Sequence, residues 1–233
     1  MRLNKFLASC ALGSRRKVEL LITDGRVKIN WVLCTDLSTT VDPEVDEVRV
    51  GHNIVKPSEK KIIVMLNKPR GYVVTKDDEF KRKTVYDLLP DFASKLHPVG
   101  RLDYDSEGLL LLTDDGDLTN KITHPSGKME KIYKVVVKGK INMESVKKLR
   151  SGEGSDFQSA KVFLKSSSDE KSELRIGITE GKNRQIRKMM ELIGHEVISL
   201  KRLQIGELKL EKLSVGMWRF LTDREILGLV KGK

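Results

Sequence analysis

From Leu3 to Ile22 the apolar positions Leu3, Phe6, Leu7, Cys10 and Ala11, then Val18, Leu21 and Ile22, recur at three- and four-residue spacing. That rhythm predicts two short amphipathic helices, broken at Gly13-Ser14, with Ser14 as the N-cap of the second. Asp24-Gly25 predicts a turn. Arg26-Val27-Lys28-Ile29-Asn30 then alternates as a strand with one basic face, and Val48-Arg49-Val50 continues the same small sheet. Residues 56–61 (Lys-Pro-Ser-Glu-Lys-Lys) are polar and contain a proline, which predicts a linker between two domains, residues 1–58 and 59–233.

Beyond the linker, residues 62–66 form an apolar strand running into a turn at residues 67–72, where Asn, Lys, Pro, Arg and Gly cluster. Further strands are predicted at Lys131–Lys138, residues 160–164, 173–179, Val197–Ile205 and residues 218–221. Helices fit residues 85–89, 118–122, 143–149, 186–193 and 223–230, and residues 166–171 an exposed hairpin loop. Strands outnumber helices without alternating strictly with them, so the fold class is α+β, with a mixed, largely antiparallel sheet.

One stretch carries candidate chemistry. Four leucines, 109 to 112, lie between Gly108 and Thr113 and predict a short buried strand. Asp103 sits on the polar loop feeding that strand, where a rigid sheet can hold a loop side chain in place. By itself an Asp in such a loop is more often a turn-former or cap. Two other segments stand out. Tyr133 lies among basic neighbours in Lys131–Lys138, where its ring either faces the core or stacks on an unstacked base. In Gly181-Lys182-Asn183-Arg184-Gln185-Ile186-Arg187, Asn183 is a candidate N-cap, and Arg184 and Arg187 share one helix edge.

Composition narrows the classes. The chain has 233 residues, 39% of them hydrophobic, and no apolar run near the roughly 18 residues of a membrane span. Its first residues lack a signal-peptide core, so a cytoplasmic protein without membrane partners is expected. Cys10 and Cys34 have no metal-ligand spacing and read as reduced core residues. The net charge of +11, from 44 basic and 33 acidic residues, favours a polyanionic partner. Residues 1–30 hold seven basic residues (Arg2, Lys5, Arg15, Arg16, Lys17, Arg26 and Lys28) against Glu19 and Asp24. Arg15 and Arg16 fall in a first helical turn, where cations oppose the helix dipole. This clustering suggests a phosphate-binding face.

The order helix, Gly-Ser-Arg-Arg, helix, Asp-Gly-Arg-Val-x-Ile-Asn resembles the alpha-L RNA-binding domain of the ribosomal S-four type, over residues 1 to about 50. It departs at Trp31-Val32, where such domains carry Gly and a polar residue in the turn. The remainder resembles the ribosomal RNA pseudouridine synthases that modify one or two uridines each. The matching segments are Leu66-Asn67-Lys68-Pro69-Arg70-Gly71, His97-Pro98-Val99-Gly100-Arg101-Leu102-Asp103, Lys131-Ile132-Tyr133, Gly181 to Arg187, and Val197 to Gly206.

The resemblance implies isomerisation of uridine in RNA without cofactor or metal. In it Asp103 is the catalytic carboxylate, paired with Arg187, while Tyr133 and Leu200 sandwich the flipped uracil and Arg101 fills the gap left in the RNA stack. It implies ribosomal RNA as partner, the large subunit favoured by the Gly-x-Asn-Arg-x-x-Arg pattern, and a monomer at work. Arg184 joins the basic residues of the first thirty as an RNA contact. The main alternative is a non-catalytic ribosomal-RNA-binding assembly factor. Metal catalysis is weaker: Asp114-Asp115-Gly116-Asp117 misplaces the glycine of a calcium loop, and His52, His97, His124 and His195 lie far apart. An Asp103–Glu107 glycosidase pair fits poorly with so basic a chain joined to an RNA-binding module.

Overall fold

The computed structural model describes residues 1–57, 61–152 and 156–231, so half of the expected linker, residues 58–60, lies outside the described residues. The chain divides into two compact units, one of residues 1–62 with 114–116, the other of residues 63–113 with 117–233.

In the first unit the two expected helices are α1 (Leu3–Ser9) and α2 (Arg15–Thr23). Ser14 caps α2 by accepting a hydrogen bond from the Lys17 amide. The strands β1 (Val27–Ile29), β2 (Val32–Cys34), β3 (Val48–Val50) and β4 (Asn53–Ile54) form an antiparallel sheet in the order β2-β1-β3-β4. Leu3, Phe6, Leu7, Val18, Ile22, Val27 and Val48 make the core between helices and sheet. The hairpin tip differs as its residues suggested: Asn30 and Trp31 both take positive φ (49° and 71°), the primed turn that Asn-Gly ordinarily fills. Arg49 lies over the Trp31 ring at 3.9 Å.

The second unit is built on a nine-stranded sheet. Its strands are β5 (Ile63–Lys68), β6 (His97–Pro98), β7 (Glu107–Thr113), β8 (Lys131–Lys138), β9 (Lys161–Ser167), β10 (Lys171–Ile178), β11 (Val197–Ile205), β12 (Leu208–Lys209) and β13 (Trp218–Phe220). The order is β13-β5-β7-β11-β8-β10-β9, with β6 on β7 and β12 on β11. Helices α3 (Gly116–Thr123), α4 (Met143–Ser151), α5 (Gln185–Leu192) and α6 (Asp223–Lys231) complete it, with 3-10 turns at Val85–Leu88, Asp91–Lys95 and Pro125–Gly127. Every pairing is antiparallel except β7 with β11. The fold is therefore α+β with a mixed, largely antiparallel sheet.

Strands β8 and β11 have the bounds the sequence predicts. Elsewhere β9 and β10 extend toward each other, so the expected hairpin loop shrinks to three residues. Strand β5 runs two residues further than expected, carrying Asn67 and Lys68 into the sheet. The breaker-rich composition hid this, because the burial of Lys68 depends on carbonyls far away in sequence.

Leu109, Leu110, Leu111 and Leu112 are all fully buried, as a strand covered on both faces requires. Leu109 and Leu111 join Ile63, Met65, Leu118, Ile122 and Leu229 in one core. At the parallel junction Gly108 opposes Arg202. A Cβ built on Gly108 would stand 2.2 Å from the Arg202 carbonyl oxygen, and its φ is +106°, so both space and backbone demand glycine here. Gly108→Ala should cost roughly 3 kcal/mol or more, a fall in Tm of about 6–12 °C for a chain of this length. Thermal unfolding followed by circular dichroism checks it.

Candidate active site

Strands β7 and β11 run parallel. Glu107, at the start of β7, pairs with Lys201 in the middle of β11, so the loop before β7, with Asp103 and Asp105, lies beside the first half of β11. Strands β8 and β11 add a wall: across their antiparallel register Tyr133 opposes Arg202 and Lys131 opposes Ile205. Together these elements enclose a cavity of about 330 Å³, lined among others by Arg101, Leu102, Asp103, Lys131, Tyr133, Ile178, Arg184, Leu200 and Arg202. That volume falls at the lower end of the roughly 300–1,000 Å³ of small-ligand pockets.

The structure brings together five of the residues expected from sequence. Asp103, Tyr133, Leu200, Arg101 and Arg184 all line the cavity. Tyr133 and Leu200 are buried in its wall, 8% and 5% exposed. Asp103 is half-buried, and Arg101 and Arg184 are exposed.

Arg187 is placed differently. Its Nη2 is 3.0 Å from Asp105 Oδ2 and also donates to the Asp105 carbonyl at 3.2 Å, so its ion-pair partner is Asp105 and not Asp103. Arg184 Nη2 reaches the same carboxylate at 3.4 Å. Burial lowers the pKa of Arg187, opposed first by Asp105 and, less strongly, by Asp103. Asp103 thus feels the guanidinium as a nearby charge and keeps its own carboxylate free of that ion pair. The expected cap also differs: α5 begins after Arg184, which takes φ +51° and makes no side-chain cap bond, in place of Asn183.

Sequence reasoning missed Lys68. It is fully buried, and its Nζ donates to the carbonyls of Pro69 (3.0 Å), Asp103 (3.1 Å) and Ser106 (2.8 Å). All three ammonium hydrogens are thereby used. Two of those carbonyls belong to the loop of Asp103, so one side chain on a rigid strand fixes the backbone on which the carboxylate stands. Burial lowers the lysine pKa from 10.5 to about 8, against the opposing charges of Asp103, Asp105 and Glu107. The signal in sequence was a lysine directly after an apolar run and before proline.

The basic residues of the first unit lie at its surface. Arg2, Arg15, Arg16, Lys17, Arg26 and Lys28 are exposed and Lys5 half-buried. Arg2 reaches the Leu37 carbonyl at 3.5 Å, and the heads of Arg15, Arg16, Arg26 and Lys28 have no hydrogen-bond partner among the described residues. Cys10 and Cys34 are free thiols, and burial pushes that of Cys10 up to about 11. No helix is long and apolar enough to cross a membrane among the described residues.

Residues 62–192 match the family described as RNA pseudouridylate synthase, and residues 1–47 match the S4 domain. The chain is 40% identical over 230 residues to the ribosomal large subunit pseudouridine synthase B of Bacillus subtilis, covering 97% of this chain and 93% of the other. An uncharacterized RNA pseudouridine synthase of Aquifex aeolicus is 40% identical over 235 residues, covering 99% and 94%. A crystal structure of a pseudouridylate synthase superposes with a TM-score of 0.69 at 33% identity, covering 98% of this chain and 99% of that one.

The Lys68 cage has a measurable consequence. Lys68→Met should lower kcat at least about tenfold by loosening the Asp103 loop, with the Kd for RNA changing less than about threefold because the Lys68 side chain is fully buried. In the unaltered protein kcat should fall above about pH 8, where the neutral amine has only two hydrogens for three carbonyls, and Lys68→Met should lack that limb. For stability the sign is opposite. Between about pH 8 and 10.5 the unfolded chain holds a proton that the folded chain has released, so this group's contribution to stability rises with pH across that window.

Proposed function

The chain belongs to the RNA pseudouridine synthase family, and from that premise we propose that it converts one uridine of large-subunit ribosomal RNA to pseudouridine, with Asp103 as the reacting carboxylate and no cofactor. The observation that carries the proposal is the cavity beside Asp103, with Tyr133 and Leu200 buried in its wall. The reaction must break the ribose–nitrogen bond, turn the freed uracil and join its carbon 5 to the ribose. A closed pocket that holds the base against its sugar is what such an internal rearrangement needs.

Asp103 attacks or deprotonates the flipped nucleotide with a carboxylate that the Arg187–Asp105 ion pair leaves unoccupied. Tyr133 and Leu200 hold the uracil between an aromatic ring and an aliphatic side chain. Arg101 stands at the exposed rim, suited to occupy the space that the uridine leaves in the RNA stack. Residues 1–58 act as the RNA-binding domain and linker and residues 59–233 as the catalytic domain. Arg2, Lys5, Arg15, Arg16, Lys17, Arg26, Lys28 and Arg184 supply phosphate contacts. The protein works as a monomer in the cytoplasm. A loop of the large-subunit RNA is the favoured target because its bases are already partly unstacked and flipping costs less. The large-subunit assignment rests on the Bacillus subtilis relative and on the Gly-x-Asn-Arg-x-x-Arg pattern at residues 181–187.

Two experiments test this reading. Asp103→Asn should abolish tritium release from carbon-5-labelled uridine in ribosomal RNA while the affinity for that RNA stays within about threefold, since cations carry the binding. Substantial turnover by the variant would remove Asp103 from the chemistry. Mapping pseudouridines in a deletion strain should show one large-subunit site lost. Loss of a small-subunit site alone would overturn the target and spare the mechanism.

A further inference from the structure

Two cations in the cavity wall have no part in the account above. Arg202 and Lys131 are only 4% and 9% exposed, and both line the cavity. Arg202 Nε donates to the Leu109 carbonyl at 2.7 Å, while its Nη2, shielded from solvent, has no partner. Lys131 makes no ion pair or side-chain hydrogen bond among the described residues. Burial, and after it the charge of Arg202, holds the Lys131 ammonium below the usual lysine range. Among the lining residues Arg101, Lys131, Lys182, Arg184 and Arg202 are cationic and Asp103 alone is acidic.

Two like charges side by side, buried and without a counter-ion, are unfavourable until an anion arrives. The reaction supplies one. When the C1′–N1 bond breaks, its electron pair stays with the uracil, whose charge spreads over N1, O2 and O4. The ribose is left electron-poor, and Asp103 answers either by bonding to it or by taking a proton from it. The C5–C1′ bond then forms as the Asp103–ribose bond breaks or the abstracted proton returns to the ribose, the C5 proton leaves and N1 is protonated, so the atoms and charge balance with nothing added. If Asp103 adds to the pyrimidine ring instead, O4 takes up the charge.

We propose that Arg202 and Lys131 are catalytic residues that bind the carbonyl oxygens of the flipped uracil and stabilise the negative charge it carries during the rearrangement. The proposal rests on the pseudouridine synthase reading and gives the detached base its own electrostatic site, separate from the carboxylate. Tyr133 lies on the same face of the sheet, directly across from Arg202. A base stacked on that ring would present its edge to both cations. Fixed charges aimed at developing charge in a shielded site typically act on kcat and leave ground-state binding largely unchanged.

The test compares large-subunit ribosomal RNA transcripts made with uridine and with 5-fluorouridine, following loss of the target nucleoside in a single turnover. Fluorine withdraws charge from the ring, so the departing anion needs less help. Lys131→Met keeps an unbranched stem and removes the charge. It should slow uridine about 10²–10³-fold, with RNA affinity and salt slope unchanged, and the deficit should shrink at least about tenfold with 5-fluorouridine. Lys131→Arg and Arg202→Lys should each recover most of the rate, which separates charge from packing. Equal deficits on the two RNAs would mean a structural role and overturn the proposal. Weakened affinity with a shallower salt slope and an unimpaired rate would make the pair a phosphate contact and overturn it equally. Inactivity of the unaltered protein on both RNAs would sink the parent reading as well, whereas an active protein matched by its Lys131→Met variant sinks this proposal alone.

Discussion

Strand β7 has no wet face, and the larger unit is organised around that fact. Leu109 to Leu112 are sealed on both sides, with β5 on one edge and β11 on the other. A strand so placed cannot slip by one residue without exchanging its two buried faces. The loop that enters it is fixed at one end by a well-determined register. The parallel partner β11 is fixed in turn, and with it Leu200 and Arg202. Geometry that looks local to the cavity is therefore inherited from hydrophobic burial further along the same strands.

Charge is handled in three distinct ways around that frame. Lys68 is buried and fully satisfied by three carbonyls, so it serves as a structural pin. Arg187 is partly buried and neutralised by Asp105, leaving Asp103 unencumbered. Arg202 and Lys131 are buried with capacity in reserve. A pin, a neutral pair and an open receptor have the same composition in a sequence, namely basic residues near apolar runs. Burial and partner distances tell them apart.

Much of the site was legible from residue order alone. The segments Lys131–Lys138 and Val197–Ile205 were legible as strands with their observed bounds, whereas the place of Tyr133 was open between core and base stacking and Leu200 entered through the family resemblance. Asp103 was legible from its motif and its place before four leucines. Lys68 was not: Asn, Lys, Pro, Arg and Gly together look like a turn, and the carbonyls that justify burying the lysine come from residues 35 and 38 positions later. Arg187's partner was missed for a different reason. Asp103 and Asp105 are two apart on an irregular loop, where spacing does not reveal which side chain turns toward the helix. Arg184 as cap is similar, since a positive φ at an arginine leaves no trace in composition.

Gly108 shows what kind of receptor this is. With Arg202 packed where a side chain would stand, the strands carrying the cavity's two sides are welded at a point between the Asp103 loop and the cationic wall. Such a cavity is a mould and not a pair of jaws. On the proposed reading, the deformation needed to bring base and carboxylate together falls on the nucleic acid, which must unstack a nucleotide and deliver it. Selection among uridines then depends as much on how cheaply an RNA yields one as on what the protein touches, and a flexible loop would be served ahead of a well-paired stem bearing the same bases.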